Sequence, residues 1–251
     1  MRTPFLISGV LAAAVTTVFA ATTPAFAYSI AQDGSFIGIN NGDIGSFFQV
    51  NFDGNVNQND VDGLSGQALF TLNSFGLENI GGTNYTVASF FVSLTNTSTS
   101  PIESRISRLG FDTDPNIVNS ASSVNGEFTR VSSGNFPNQV GNIEVCLIPG
   151  TGNCTRGPGG VETGETGTFN LKLAFANTSL TSLNLSNFHV RYQSITGTPF
   201  GSGGTGDGKV MASSTDAPEP LTILGTAMAL GFGGVFRKEQ QKQKLKQQVK
   251  A

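Results

Sequence analysis

The sequence has no tryptophan, only two cysteines and a single histidine, His189, in 251 residues. One histidine excludes the metal and protease motifs that need a histidine pair. A Gly-x-Ser-x-Gly nucleophile motif and a paired-carboxylate motif are missing too, so we expect no enzymatic activity and no catalytic residues. The lack of tryptophan also counts against a carbohydrate-binding module, because sugars usually stack on tryptophan or exposed tyrosine.

Charged residues are scarce as well, at 12% of the chain. Residues 28–217 contain 7 Lys and Arg against 15 Asp and Glu, which gives them a formal charge of −8. Nucleic-acid binding needs a basic surface, so we expect no nucleic-acid partner. An acidic surface suits solubility outside a cell and is compatible with divalent cations.

The N-terminal segment, residues 1–27, has the pattern of a secretory signal peptide. Arg2 supplies the positive end, residues 5–21 the apolar helix, and Ala25 and Ala27 the small-x-small cleavage site. The pattern predicts a mature chain that starts at Tyr28. The implied partners are the secretion machinery and signal peptidase, and an uncleaved N-terminal anchor is the alternative.

The C-terminal segment, residues 218–251, predicts a single transmembrane helix. Its apolar run, residues 221–236, carries no charge and would be about 24 Å long as a helix. This is slightly shorter than the hydrocarbon core of about 30 Å. The tail, residues 237–251, follows with Arg237, Lys238, Lys242, Lys244 and Lys246. Positive charge beside a membrane span stays cytoplasmic, so the preceding chain is expected to face outward.

Pro218, Glu219 and Pro220 stand directly before this apolar run. The order of tripeptide, short apolar helix and basic cluster in residues 218–246 resembles the PEP-CTERM sorting signal of bacteria that make extracellular polysaccharide. The resemblance implies an exosortase, a membrane-embedded cysteine peptidase, as a partner that processes the signal near the tripeptide. The precursor would then be anchored transiently in the inner membrane before the protein reaches the cell surface or the medium. An ordinary C-terminal anchor that is never cut is the alternative.

Apolar and polar residues alternate in several segments of residues 28–200, which predicts β-strands. In one of them, His189 and Arg191 are expected to face solvent while Tyr192 faces inward. Shorter candidate strands cover residues 105–111, 127–131 and 142–148. The other expected inward positions are Phe48, Val50, Phe52, Ala68, Phe70, Leu72, Phe90, Val92, Leu94, Phe169, Leu171, Leu173, Phe175, Phe188 and Val190.

Clusters of Gly, Asn and Asp separate these segments, as expected for turns. Many short strands with one polar face predict an all-β fold, an antiparallel β-sandwich (jelly-roll-like) ectodomain over residues 28–200. Residues 201–217 are rich in glycine and are predicted to be a flexible linker to the sorting signal.

Parts of this middle region also resemble the cistern family of PEP-CTERM proteins. The resemblance rests on residues 110–115, 166–171 and 187–194 and on the pair Cys146 and Cys154. It implies no known activity. Independently of it, an oxidising compartment favours a disulfide between the two cysteines. Closing so short a loop would contribute roughly 2–3 kcal/mol to stability.

One segment suggests a weak calcium site. Asp112, Asp114 and Asn116 would bring three oxygen atoms onto one turn, as in calcium-stabilised extracellular modules. Asp and Asn also form turns without any cation, which is the alternative. We expect no other cofactor.

The sequence therefore predicts an exported, exosortase-sorted protein of the cell surface or extracellular matrix, associated with exopolysaccharide or biofilm and without enzymatic activity. The first alternative is a carbohydrate-binding module, with or without calcium, whose partner is extracellular polysaccharide. The second is a glycoside hydrolase or other hydrolase that uses carboxylates such as Glu103, Asp112, Asp114 or Glu144.

Overall fold

The computed structural model describes residues 28–211, which form an all-β protein with one short 3-10 helix, Asn41–Asp43. The predicted signal peptide, residues 1–27, and the predicted sorting signal, residues 218–251, lie outside the described residues. The fifteen strands are β1 (Ser29–Ile30), β2 (Phe36–Asn40), β3 (Phe47–Phe52), β4 (Asn55–Val56), β5 (Asn59–Asp60), β6 (Gly66–Ile80), β7 (Thr83–Asn96), β8 (Glu103–Asp114), β9 (Ser123–Gly126), β10 (Arg130–Phe136), β11 (Gly141–Ile148), β12 (Val161–Glu162), β13 (Thr166–Phe175), β14 (Ser182–Thr196) and β15 (Gly203–Met211).

No helix within residues 28–211 is long and apolar enough to cross a membrane. The predicted signal helix and the predicted transmembrane helix, residues 221–236, both fall outside this range. They stay predictions.

All strand pairs are antiparallel, and the longest path through the sheet runs β10-β11-β8-β14-β15-β3-β6-β7-β13-β9. The longest hairpin joins β6 and β7 through Gly81 and Gly82, whose φ angles are +59° and +88°. A two-residue turn with positive φ at both positions matches the twist of the strands it joins. The glycines at this point therefore set the register of the hairpin.

β15 joins the two halves of the sheet. Its first residues, from Gly203 to Asp207, pair with β14, and its last, from Gly208 to Met211, pair with β3. A Cβ atom at Gly206 would overlap the carbonyl oxygen of Asp53, and one at Gly208 would lie 2.6 Å from the Cβ of Phe188. Glycine in a strand often marks such close approaches.

The prediction of a flexible linker from residue 201 is therefore wrong over Gly203–Met211. The glycines there allow the strand to pass close to its neighbours. A high glycine content predicts flexibility only where no neighbouring strand packs against the chain. The β-domain continues to residue 211 instead of ending at residue 200. Residues 212–217 of the predicted linker lie outside the described residues.

The two halves of the sheet curl toward each other and enclose the main core, so the fold is nearly barrel-shaped. The ring of Phe70 on β6 stacks on that of Phe48 on β3, with centroids 4.9 Å apart. Across the core, Phe70 lies 6.2 Å from Phe111 on β8 and 5.9 Å from Phe188 on β14. Burying each such ring contributes roughly 1.5–3 kcal/mol. Each residue that the alternation pattern predicted to face inward is buried.

One predicted strand is misplaced. The chain between β9 and β10 has no strand structure at Glu127, Phe128 and Thr129, although residues 127–131 were predicted to form one. Phe128 is fully buried, and its ring packs edge-on against Phe169 with centroids 5.0 Å apart. Phe128 therefore anchors the connection between β9 and β10 in the core.

Candidate functional site

His189 lies on β14 and is 9% exposed. Its Nδ1 atom is 2.9 Å from Oδ1 of Asp207, the directly opposite residue on β15. The ring of Phe136 on β10 lies over the imidazole, with centroids 6.1 Å apart. The expectation that His189 is a solvent-facing residue is therefore wrong, because β10 covers this side of β14.

A chain of polar contacts leads from His189 to a neighbouring strand. Nε2 of His189 lies 2.7 Å from Oδ1 of Asn187, and Nδ2 of Asn187 donates to Oδ2 of Asp112 at 2.7 Å. Oδ1 of Asp112 accepts from the backbone N–H of Glu144 at 2.9 Å. Since an ionised carboxylate only accepts hydrogen bonds, Asp112 fixes the orientation of the Asn187 amide. The Asn187 oxygen then faces Nε2, so both ring nitrogens of His189 face oxygen atoms.

The charge state of His189 depends on opposing effects. Burial lowers the pKa of the imidazole below its ordinary value, while the carboxylates of Asp207, Asp112 and Asp53 act in the opposite direction. The neighbouring protein groups partly desolvate the carboxyl group of Asp53, which raises its pKa. Oδ1 of Asp53 accepts from the backbone N–H of Asp207 at 2.7 Å, so the acidic groups are held together by the backbone.

These groups line a polar cleft of about 330 Å³. Asp53, Asp60 and Asp207 contribute carboxylates, and Asn138 and Thr205 contribute an amide and a hydroxyl. These side chains can accept hydrogen bonds from a polar, hydroxyl-bearing molecule and donate hydrogen bonds to it. Within residues 28–211, no group of three or more His, Cys, Asp and Glu side chains is arranged to hold a metal ion.

The segment predicted to bind calcium lies at the end of β8. Asp112 and Asp114 are the last acidic residues of this strand, and Asn116 is in the loop that follows. This loop is organised by the carboxylate of Glu144 on β11. Its oxygens accept from the N–H and hydroxyl of Thr113, at 3.0 and 2.7 Å, and from the N–H of Ile117 at 2.6 Å.

Hydrogen bonds from Thr113 and Ile117 to Glu144 therefore hold this turn. Calcium binding at Asp112, Asp114 and Asn116 stays a prediction. The structural role of Glu144 was not predicted, because its partners lie on a different strand, about 30 residues away in the chain.

The carboxylates considered for a hydrolase are not gathered in one place. Asp112 and Glu144 are neighbours, but each accepts hydrogen bonds from backbone groups. Glu103 stands at the opposite end of β8, roughly 30 Å from Asp112 at the usual rise of a strand. A catalytic pair with Glu103 would therefore need a large rearrangement.

Cys146 on β11 and Cys154 in the following loop lie at disulfide distance, with their Cα atoms 6.0 Å apart. Both side chains are buried in a small second core with Phe136, Ile143 and Ile148. The predicted pairing is compatible with this geometry. The loop between the cysteines covers a part of the sheet that contains an unexpected buried charge.

That charge is Arg108 on β8, which is fully buried. Its Nε atom donates to the carbonyl oxygen of Asn153 at 2.7 Å, and Nη1 donates to the carbonyl of Ser107. Nη2 has no hydrogen-bond partner among residues 28–211. Burial and the nearby positive charges of other arginines lower the pKa of Arg108 to about 10. Arg108 thus holds the loop that contains Cys154 by a hydrogen bond to the backbone of that loop.

Sequence reasoning missed Arg108 because its burial comes from the loop around Asn153, which covers the outer side of β8 and lies 45 residues further along the chain. The register of β8 also shifts beside it. Arg108 is opposite Arg191 of β14, whereas Tyr192 is opposite Ile106, so Ser107 is an extra residue. Such a bulge breaks the alternation of inward and outward positions. No simple pattern in the sequence indicates it.

Comparison with known proteins does not identify this chain: no family model matches it, and no curated protein matches it.

Proposed function

We propose that this protein is an exported protein of the cell surface or extracellular matrix, sorted by an exosortase-like peptidase and without enzymatic activity. The observation that carries the proposal is the order of Pro218, Glu219 and Pro220, the apolar residues 221–236 and the basic residues 237–246. Together with the signal-like residues 1–27, these segments bracket one acidic domain.

The fold supports a passive role for that domain. Antiparallel strands with a continuous aromatic core give a rigid body, and a buried pair of cysteines at disulfide distance suits an oxidising environment. We assign the body to the jelly-roll-like sandwiches, with β15 passing from one sheet to the other. Such a body would display its strands and loops to matrix polysaccharide.

Mass spectrometry of the protein recovered separately from membranes and from culture medium tests this proposal. We expect a mature N-terminus at Tyr28 in both fractions and, in the medium, a C-terminus close to Pro218. Substitution of Glu219 in the tripeptide by Ala should increase the uncut, membrane-bound form, whereas Glu239→Ala in the tail serves as the matched control. An intact chain of 251 residues in the cytosol would contradict the proposal.

A further inference from the structure

The outward sides of four neighbouring strands, β3, β6, β7 and β13, form a grid of twelve side chains, which we term the neutral face. Its first row crosses the strands through Phe47, Thr71, Phe91 and Asn170. Two further rows begin at Gln49 and Asn51 on β3 and cross the same strands. With neighbouring strands about 4.8 Å apart and alternate residues about 6.8 Å apart, the grid spans roughly 14 Å in each direction.

The neutral face carries no charge, although the acidic domain around it has many carboxylates. Its twelve positions contain only Phe, Leu, Ser, Thr, Asn and Gln. Charges appear at its margins, at Lys209 beside Asn51 and at the ion pair of Lys172 with Glu78, whose Nζ and Oε1 atoms are 2.7 Å apart. A charged polymer would find no opposite charge on this surface, whereas an uncharged one would lose no ionic solvation.

Two phenylalanines stand out on this face. Phe47 and Phe91 are each 41% exposed, and they lie in one row with Thr71 between them. Two strand spacings separate them, which is about 10 Å. Flat aromatic rings at this separation can stack on two sugar rings of one extended chain. A polar surface with paired exposed rings is typical of a binding site.

The amides beside the rings are ordered by one another. Nε2 of Gln49 donates to Oδ1 of Asn51 at 2.8 Å, and Nε2 of Gln67 donates to the same oxygen at 3.4 Å. At the far side of the face, the hydroxyls of Thr95 and Thr166 are 2.8 Å apart. Each amide and hydroxyl retains further donor or acceptor capacity, which matches the hydroxyl groups of a sugar.

We propose that the neutral face binds an extended, uncharged polysaccharide, with Phe47 and Phe91 as stacking platforms and the amides of Gln49, Asn51 and Gln67 as hydrogen-bonding partners. This inference rests on the proposed function, which places the domain in a polysaccharide matrix, and it names the chemistry of the ligand. The absence of tryptophan does not exclude it, because phenylalanine presents the same kind of apolar ring face.

The test measures how the full chain, purified in a detergent without a sugar head group, binds to suspended polysaccharides. The probes are particles of neutral glucan, mannan and galactan, with polygalacturonate as the charged probe. We expect the unmodified chain to bind at least one neutral polymer, and the double variant Phe47→Ala/Phe91→Ala to bind it at least about tenfold more weakly. Phe36→Ala is the matched control, because Phe36 is 40% exposed but lies on β2. The Phe36→Ala variant should bind the neutral polymer as tightly as the unmodified chain does.

A second variant keeps the test valid if the double variant fails to fold. Thr71→Arg places a long charged side chain between the two rings at an outward position, and it should also weaken binding by about tenfold or more. Thermal unfolding of each variant, followed by circular dichroism, identifies folded protein.

Three results would overturn the inference: binding to polygalacturonate alone, binding to none of the polymers, or equal binding by folded Thr71→Arg and the unmodified chain. None of these results affects the proposed export and sorting, which the terminal sequences of the recovered protein decide separately.

Discussion

The Nε atom of Arg108 donates a hydrogen bond to the carbonyl oxygen of Asn153 across a distance of 2.7 Å. Arg130 makes a similar contact with the carbonyl of Gly152. Two guanidinium groups therefore hold the backbone of the loop that contains Cys154. No carboxylate of the described residues pairs with Arg108 in an ion pair.

Replacement of Arg108 should destabilise the fold. Arg108→Ala removes the donor of the Asn153 carbonyl and leaves a cavity beneath the loop, with an expected cost of about 2–5 kcal/mol. Arg156→Ala, at an exposed position of the same loop, should change stability by less than about 0.5 kcal/mol. Urea unfolding of both variants, followed by circular dichroism, measures the difference. Equal stability of the two would show that the buried contacts do not hold the loop.

The two cysteines should form a disulfide in the exported protein. Alkylation under denaturing conditions without reductant should modify neither Cys146 nor Cys154, and mass spectrometry detects the modification. Loss of the bond in Cys146→Ser/Cys154→Ser should lower the free energy of unfolding by about 2–3 kcal/mol. Reductant should destabilise the unmodified protein and leave the double variant unchanged. Two alkylated thiols in the untreated protein would refute the pairing.

His189 should titrate below the ordinary histidine value. Burial lowers its pKa from 6.5, so the unfolded chain binds the proton more tightly than the folded one. The stability contributed by neutral His189 is therefore present above about pH 6.5 and is lost as the pH falls through the lower folded value. NMR titration can follow this residue without ambiguity, because it is the chain's one histidine.

The carboxylate of Asp207 should raise the pKa of His189 and so oppose the lowering caused by burial. Asp207→Asn removes the carboxylate 2.9 Å from Nδ1 of His189, which favours the protonated ring. The NMR midpoint of His189 should then fall further below its value in the unmodified protein. Asp114→Asn, which alters an exposed carboxylate at the end of β8, is the control. A higher midpoint in Asp207→Asn would contradict the assigned role of the carboxylate.

β15 should tolerate no side chain at Gly206. A methyl group there would overlap the Asp53 carbonyl, and relieving the overlap should cost roughly 2 kcal/mol or more. Gly76→Ala on β6 is the matched control, because an added Cβ meets no atom within 4 Å. Thermal unfolding should therefore separate the two variants clearly. Similar melting temperatures would mean that β15 does not need close contact at this point.

The alternation of apolar residues predicted core residues on five strands, β3, β6, β7, β13 and β14. Phe48 and Val50, for example, stand two positions apart and are both buried, because a period of two fixes which side of a strand each residue occupies. The same reasoning failed for His189, because covering by another strand depends on the path of β10. It could not find the buried Arg108, because the loop that covers this residue lies 45 residues further along the chain.

Glycine was the least informative residue type in the sequence. At Gly81 and Gly82 it marks a turn, as predicted, whereas in β15 it marks close packing between strands. The same residue type, glycine, occupies the turn and the strand. Only the neighbouring backbone distinguishes a flexible glycine from one that is required by contact.

The sequence by itself determined the all-β class and the inward side of five strands, β3, β6, β7, β13 and β14, because both depend on local periodicity and turn chemistry. It also predicts export and sorting, which depend on linear segments at the two ends. Only the tertiary structure brought His189 to Asp207, placed Arg108 beneath the cysteine loop and aligned Phe47 with Phe91 on one face. These relationships depend on register between strands distant in the chain, and register is set by the packing of the whole sheet.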